Sequence, residues 1–339
     1  MTEAYVDLTC VVHLHSTYSD GSGTVPQIAR AAARAGVDVV LLTDHDTLAA
    51  KKNGEERWYD DVLMLVGVEV TPKNQNHFLA FDVDEKISPR LTPTEICAAV
   101  RAQGGFGFGA HPFSRGSERF KRTGYPWREP DCLDGIELWS FLNDTAERVR
   151  GFADVARMIY APQSIIGGPP EDNLREWDRL CQARRVVAIG GLDSHQFGLR
   201  IAGHVPIRLM GYKRSFKQLH THVLCSEPLT RELEHDRALV YDALREGRCY
   251  IANDQVAEAR GFSFTHMGEE HSFEPGMRLR AQTPHPAQMR LLRNGEPVAE
   301  AHGSELHHSI ELHGVYRVEA TLDGRPWIYS NPAYIRAYS

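Results

Sequence analysis

The sequence predicts an α/β chain, a barrel of alternating strands and helices followed by a small β-sandwich, and three observations carry that prediction. Short, almost wholly apolar runs recur with helical segments between them, as expected of strands buried on both faces. These runs end in His, Asp or Glu, the pattern of a barrel whose chemistry lies at the C-terminal ends of its strands. From about Gly261 the texture changes to short alternating segments divided by Asn-Gly, His-Gly and Asp-Gly turns. The 339 residues accommodate both bodies, read as 1–255 for the barrel and 256–339 for an Ig-like sandwich.

Composition narrows the class. Apolar residues make up 42% and charged residues 24% of the chain, ordinary for a soluble globular protein. No run approaches the roughly 18 apolar residues of a membrane helix, so no membrane association is expected. The opening Met1-Thr2-Glu3-Ala4 lacks the positive region and long apolar core of a signal peptide. A formal charge of −7 argues against a protein that coats nucleic acid. Six cysteines without a Cys-x-x-Cys pair suggest neither a zinc knuckle nor a disulfide scaffold and suit a reducing cytoplasm. Seventeen histidines are the unusual figure.

In chain order, Cys10-Val11-Val12 leads into His13-Leu14-His15, which as a continuing strand would put both imidazoles on one face. Ser19-Asp20-Gly21 reads as a turn in which Asp20 folds back. Thr24 and Pro26 open a helix closed by Gly36. Val37 to Leu42 is a buried strand delivering Thr43-Asp44-His45-Asp46. A polar helical stretch over 47–60 is predicted next, then a strand from Val62 that ends in Glu69. A short strand follows His77, Thr92-Pro93-Thr94-Glu95 is a capping box, and Phe106 to Ala110 ends in His111. Asp134 to Trp139 reads as a strand, periodicity predicts helices over 143–160 and 173–185, and Val186 to Ile189 runs into Asp193-Ser194-His195. A helix from Thr230 to Glu246 closes the domain, and strands are expected over 288–292, 309–312, 316–322 and 327–329.

The collected strand-end residues are His13, His15, Asp20, His45, Glu69, His77, His111, Asp193 and His195. Singly each has a plain structural reading, such as a capping turn for Asp193-Ser194-His195 or a solvated strand end for Glu69. Jointly, costly polar groups gathered at strand ends mark a built site. A catalytic zinc takes three protein ligands and a water, so this many donors implies two or three divalent metal ions.

Taken in order, His-x-His, Ser-Asp-Gly, Thr-Asp-His, Gly-Val-Glu, Asn-His-Phe, His-Pro and Gly-x-Asp-Ser-His resemble the polymerase and histidinol phosphatase (PHP) domain family over about residues 6–200. Relatives often carry Asp-Leu-His directly, whereas Asp7-Leu8 here precedes His13 by several residues. The resemblance implies a distorted (β/α)7 PHP barrel and a set of zinc, manganese or iron ions. It implies one ion on His13, His15, Glu69 and Asp193, a second on Glu69, His77 and His111, and a third on Asp20, His45 and His195. Arg293-Asn294-Gly295, Gly314 to Glu319 and Trp327 to Pro332 resemble the C-terminal segment of the carbaryl hydrolase-related, CehA-type branch.

These readings lead to a metal-dependent phosphoesterase acting on a small phosphorylated molecule or nucleotide through a metal-bound hydroxide, with Glu69 and Asp193 at the chemistry. Ser194 and Cys10 are then structural, because no nucleophilic side chain is required. The basic run Phe113 to Arg122 supplies Arg115 as the first candidate phosphate clamp, and Arg200 is the second. Glu137, Asp44 and Asp46 are expected to orient ligand imidazoles. The rival readings are a carbamate, ester or amide hydrolase, from the C-terminal segment, and a non-catalytic metal-binding protein.

Overall fold

The computed structural model describes residues 5–112, 114–117, 122–123, 133–161, 164, 166–196, 198–201, 204–208 and 211–337. It is a mixed α/β fold in which strands from two sheets surround the chemistry-bearing residues. In the first sheet Val6–Val12 pairs in parallel with Val39–Leu42, which pairs in parallel with Val62–Val66. In the second, Val68–Val70, His77–Phe81, Phe106–Ala110, Gly135–Ser140 and Val187–Gly191 lie side by side.

Backbone hydrogen bonds join the sheets at two seams. At one, Leu192 N–H donates to Val12 O and His15 N–H to Ser194 O, both at 2.9 Å. At the other, Gly67 N–H donates to Leu42 O at 2.8 Å and Asp46 N–H to Glu69 O at 2.9 Å. The chain crosses between sheets through Gly67, where a Cβ would press on the Phe81 ring and Ala80 O.

Side chains alternate between two cores, which explains apolar runs without polar alternation. Cys10, Val12, Val39, Leu41, Leu63 and Leu65 join Phe106, Phe108 and Ile189 in a core between the sheets, completed by Val240, Tyr241 and Leu244 of the helix Leu233–Glu246. Their neighbours Val11, Val40, Leu42, Met64 and Val66 pack with Ile28 and Ala32 of the helix Val25–Ala33.

Several local expectations hold. The capping box forms, with Glu95 N–H donating to Thr92 Oγ1 at 3.4 Å and Thr92 N–H to Glu95 Oε2 at 2.8 Å. The stretch 143–160 divides into Phe141–Arg148 and Phe152–Tyr160, and 173–185 becomes Glu171–Ala183. The helix predicted over 47–60 shrinks to Ala49–Lys52. The buried Glu56 carboxylate accepts the Val66 N–H at 2.7 Å and draws Arg57–Tyr59 into an antiparallel edge strand, an attachment that helical propensity cannot outweigh. His77–Phe81 runs antiparallel to both neighbours because the link over 71–76 is too short for a crossover helix. Its first residue therefore lies at the same rim as the ends of the parallel strands.

The C-terminal strands do not stand apart from the N-terminal strands. His220–Cys225 pairs with Val6–Val12, Cys249–Ala252 pairs with His220–Cys225, and Arg325–Ser330 pairs with Cys249–Ala252, all antiparallel. The result is one 13-stranded sheet that crosses the boundary expected at 255/256 and leaves Cys249–Ala252 without an open edge. These strands keep a core of their own around Tyr250, Met289, Leu291, Val318, Trp327 and Ile328. Their hairpins turn at Asn294-Gly295 (φ 53° and 89°) and Asp323-Gly324 (φ 53° and 71°), as the sequence predicts.

Buried polar contacts fix them to the rest of the fold. Arg317 donates to both carboxylate oxygens of Asp178 (Nε to Oδ1 2.6 Å, Nη2 to Oδ2 2.8 Å) and to Glu319 Oε1 at 2.6 Å. Asn331 accepts from Ala188 N–H at 2.7 Å and donates to Ala188 O at 2.9 Å. His222, fully buried, directs Nδ1 at Asp7 Oδ1 (2.7 Å) and Nε2 at Asp254 Oδ2 (3.0 Å). Both ring nitrogens face carboxylates, so both carry protons. Burial opposes that charge, but Asp254 and Asp7 outweigh it and raise the imidazole to about 9. Asp254 is in turn held below the usual carboxylate range, where its hydrogen bonds from His220 and His222 outweigh burial. Cys10, Cys181, Cys225 and Cys249 are buried free thiols, whereas Cys97 is disulfide-bonded, against the expectation of unpaired cysteines. Among the described residues no helix is long and apolar enough to cross a membrane.

Two stability predictions follow from these joints. Arg317→Met strands the Asp178 carboxylate, while Glu319 keeps Arg290, and is expected to lower unfolding free energy by about 3–5 kcal/mol in denaturant titration. The folded pKa of His222 lies above its ordinary 6.5, so its stabilisation is complete below 6.5 and is lost as pH rises through about 9. The denaturation midpoint should fall across that window in the wild type, and His222→Gln should flatten the fall.

Candidate metal centre

All nine predicted donors converge on the rim where the two sheets meet. His13 and His15 follow Val6–Val12, His45 follows Val39–Leu42, and Glu69 lies in Val68–Val70. His77 opens the antiparallel strand, His111 follows Phe106–Ala110, and Asp193 and His195 follow Val187–Gly191.

The donors form three nests. In the first, His13 Nε2 and His15 Nε2 lie 3.2 and 3.3 Å from Glu69 Oε2, and 3.5 and 3.2 Å from Asp193 Oδ1. In the second, the other oxygen of Glu69, Oε1, lies 2.9 Å from His77 Nδ1 and 3.3 Å from His111 Nε2. In the third, Asp20 Oδ1 lies 3.2 Å from His195 Nε2, 3.6 Å from His45 Nε2 and 4.0 Å from His15 Nδ1. His45 Nδ1 also lies 3.1 Å from Glu69 Oε2, so three imidazoles face one carboxylate oxygen.

These nests fit cations. His13 Nε2, both ring nitrogens of His15, His45 Nδ1 and Glu69 Oε2 are buried without a hydrogen-bond partner, a costly condition unless another ligand satisfies them. Ligands about 2.0–2.2 Å from a shared tetrahedral ion stand about 3.3–3.6 Å apart, close to the separations in the first nest. Glu69 and His13 are fully buried, while Asp20 is 58% exposed and marks the open side.

The geometry at His13 differs from the sequence expectation. The strand ends at Val12, and His13 takes a left-handed φ of 61°. Its imidazole therefore reaches Glu69 through a kink rather than through shared pleat geometry with His15. Asp46, His111, Asp193 and Gln196 are also at positive φ (51°, 31°, 49° and 53°), so non-glycine strain gathers around the nests.

The surrounding polar groups hold the donors in place. Glu137 Oε1 accepts from His13 Nδ1 at 2.9 Å and Oε2 accepts the His111 backbone N–H at 2.6 Å, so the expected orienting role of Glu137 has a geometric basis. Asp44 instead organises the turn carrying Asp20, accepting from Ser16 N–H at 2.7 Å and from the Ser16 and Ser19 hydroxyls at 2.6 Å. Asp46 accepts from the Thr71 N–H at 2.9 Å and its hydroxyl, beside the Glu69 strand. Asn143, which carried no signal in the sequence, donates to Asp193 Oδ2 at 2.8 Å and leaves Oδ1 facing the nests. Tyr212, likewise unforeseen, donates to His15 O at 2.6 Å.

Arg115 is turned elsewhere. It is 76% exposed and its guanidinium binds Asp172, within a cavity of about 430 Å3 where Arg115, Arg148 and Arg175 meet Asp144, Glu147, Glu171 and Asp172. Carboxylates outnumber cations there, so the expected clamp is internally neutralised. The side chain of Arg200 and most of the run 118–132 lie outside the described residues.

Protons and cations compete for these imidazoles. Burial opposes charge on His45, but Glu69 and Asp20 outweigh it and raise the ring to about 9. Loading must displace that proton below about 9, so divalent affinity should rise with pH up to that value and proton release should appear in calorimetry across buffers of different ionisation enthalpy. Gly191→Ala drives a Cβ into Glu137 Oε1 and to 3.1 Å from the His13 Cβ. It is expected to weaken metal affinity by about 10–100-fold while circular dichroism stays unchanged.

No family model matches the chain. It is 36% identical over 83 residues to a phosphoribosyl 1,2-cyclic phosphate 1,2-diphosphodiesterase of Eggerthella lenta, spanning 22% of this chain and 30% of that protein. It is 26% identical over 143 residues to an uncharacterised protein of Methanocaldococcus jannaschii, spanning 38% of this chain and 80% of that one. Among solved structures it is similar, at 17% identity and a TM-score of 0.46, to a two-domain Bacteroides vulgatus protein containing a predicted PHP-like metal-dependent phosphoesterase, covering 97% of this chain and 95% of that one. The Bacteroides vulgatus protein is described as PHP-like, the same group that the ordered motifs of this chain resemble.

Proposed function

We propose that the chain is a PHP-family hydrolase, a metal-dependent phosphoesterase acting on a small phosphorylated molecule. On this reading the two-sheet enclosure is a distorted (β/α)7 barrel, and the strands after residue 255 are a β-sandwich fused to its sheet. The observation that carries the proposal is the sharing of Glu69, whose two oxygens face five imidazoles drawn from the three adjoining nests. Such a bridge suits a cluster of ions better than a single structural one. Zinc, manganese or iron held by the three nests would supply Lewis acidity toward a phosphoryl oxygen and a water-derived nucleophile at neutral pH.

The protein's own groups orient and exclude. Glu137 holds the proton on His13 Nδ1, leaving Nε2 to face the nest, and Asn143 fixes Asp193 in the corresponding way. The Cys10 thiol is buried, and burial raises its pKa well above the ordinary range, so it supplies no thiolate. Substrate would enter past Asp20 and His45, the exposed members of the rim. A phosphate would have to win Arg115 from Asp172, which makes that residue a weaker contact than its position in sequence suggests.

The C-terminal segment resembling the carbaryl hydrolase branch has structural duties. Arg317 binds Asp178, Trp327 Nε1 donates to Ala257 O at 2.7 Å, and Asn331 binds Ala188. None of these contacts reaches the nests, and no observation favours a carbamate substrate.

Purified, metal-loaded protein should hydrolyse an aryl phosphate or a cyclic phosphodiester and lose that activity on chelation, with aryl acetate and aryl carbamate turned over poorly. Preferential turnover of the carbamate would replace the phosphoesterase reading, and turnover of none would favour a binding protein. His13→Ala should lower bound metal and reduce kcat by at least about a hundredfold with the fold intact. Full metal content and activity in that variant would show that His13 is not a ligand.

A further inference from the structure

A cavity of about 650 Å3 lies between the helix Val25–Ala33 and the helical turn Tyr212–Ser215, and its charge is unbalanced. Arg30, Arg34, Lys213, Arg214 and Lys217 line it, and no carboxylate does among the described residues. Among the described residues no carboxylate lies within ion-pair distance of any of the five. Elsewhere on the surface, Arg245 meets Asp82, Arg260 meets Asp38 and Arg237 meets Glu56. The chain as a whole is acidic at −7, so a general excess of base does not account for this patch.

Local structure explains little of it. Arg30 lies in the last turn of its helix, where the helix dipole favours a cation. On the opposite wall Lys213 and Arg214 lie in a helical turn of four residues, whose dipole is small, and Lys217 lies beyond its end. Arg30 and Arg34, and likewise Lys213 and Lys217, are spaced four apart, so each pair repels along its own helical turn. The intervening sequence 197–210 contains no Asp or Glu. A cavity walled by uncompensated cations stabilises an anion that brings the missing charge.

Its position relates it to the metal nests. Gln196, the next residue after His195, forms part of the wall and is pinned by donation from its side-chain nitrogen to Ser22 Oγ at 3.0 Å. Tyr212 forms another part, and its hydroxyl donates to the backbone oxygen of His15. The wall of the cavity is thus built on segments that carry two of the donors.

We propose that this cavity binds a second, multiply charged anionic group of the substrate, a phosphate or phosphate chain carried by the molecule whose phosphoester meets the metal nests. The assignment rests on the phosphoesterase reading and narrows its substrate to bis- or polyphosphorylated small molecules. The mixed arginine and lysine lining suits phosphate oxygens, the arginines through paired N–H donors and the lysines as point charges. In the cavity beside Arg115 carboxylates outnumber the cations, so it lacks this property.

The test has a binding arm and a kinetic arm, both on the metal-loaded full chain. In the first, pyrenetetrasulfonate, a fluorescent polyanion that is neither hydrolysed nor a metal chelator, is titrated against wild type and Lys213→Ala/Lys217→Ala. Both lysines are exposed, and an unchanged thermal melt will establish that the variant folds. Binding should weaken about tenfold in the variant and fall steeply with salt. In the second, kcat/KM is compared for alkanediol bisphosphates of increasing chain length and for the matching monophosphates. The bisphosphates should gain about tenfold once the chain spans from nest to cavity, and the ratio should return to about one in the variant. Absence of dye binding, binding indifferent to the lysines, or no bisphosphate advantage at any length overturns the proposal. So does tight binding of a single-stranded oligonucleotide with no bisphosphate advantage, which would assign the cavity to a nucleic acid. Lysine-dependent dye binding without turnover of any phosphate ester supports the anion cavity and overturns the phosphoesterase reading instead.

Discussion

The burial of the Glu69 carboxylate is the constraint on which the surrounding structure depends. An ionised carboxylate taken out of water is unstable unless positive charge or hydrogen-bond donors surround it. Here His13, His15 and His45 face one oxygen and His77 and His111 the other. Burial would push this carboxyl up, but the imidazoles outweigh it and hold it well below the usual range. Protons on the rings or divalent ions between them can supply that balance, and the orphaned nitrogens of His13, His15 and His45 indicate that protons alone leave it incomplete. The kink at His13, the positive φ at His111 and Asp193, and the close approach of Gly191 to Glu137 all serve to bring donors to this carboxylate.

The seams between the sheets make this possible. A single flat sheet would spread its strand ends along a line, whereas the Leu42–Gly67 and Val12–Leu192 hydrogen bonds turn two sheets toward one another and bring their ends to one rim. The antiparallel strand His77–Phe81 contributes to the same rim with its first residue rather than its last. The core of Leu41, Leu65, Phe108, Ile189 and their neighbours, closed by Tyr241 and Leu244, provides the rigid floor for these positions.

Charge is handled differently in three parts of the molecule. Around Arg317 and His222, buried cations are matched by carboxylates and serve as joints between the N-terminal part of the fold and the C-terminal strands. At Arg115 exposed cations are matched by a slight excess of carboxylates. In the cavity of Arg30, Arg34 and Lys213 the match is missing. The first two arrangements neutralise themselves and need no ligand, whereas the third, among the described residues, presents unmatched positive charge to solvent near the donor nests.

By itself the sequence determined the alternating α/β pattern, the ordered set of strand-end donors and the hairpin turns at Asn294-Gly295 and Asp323-Gly324. Those features depend on local periodicity, on residue chemistry and on φ preferences that a few neighbouring residues decide. Only the tertiary structure decided that the strand stops at Val12, that the stretch 47–60 is drawn into a sheet edge by Glu56, and that Arg115 is engaged by Asp172. It alone identified Asn143 and Tyr212 as holders of Asp193 and His15, and joined Arg325–Ser330 to the sheet that holds Val6–Val12. Each of these rests on a contact between residues ten or more apart in sequence. Such a contact forms only when packing of the whole chain offsets the entropy of bringing its partners together, and no local window of sequence contains that information.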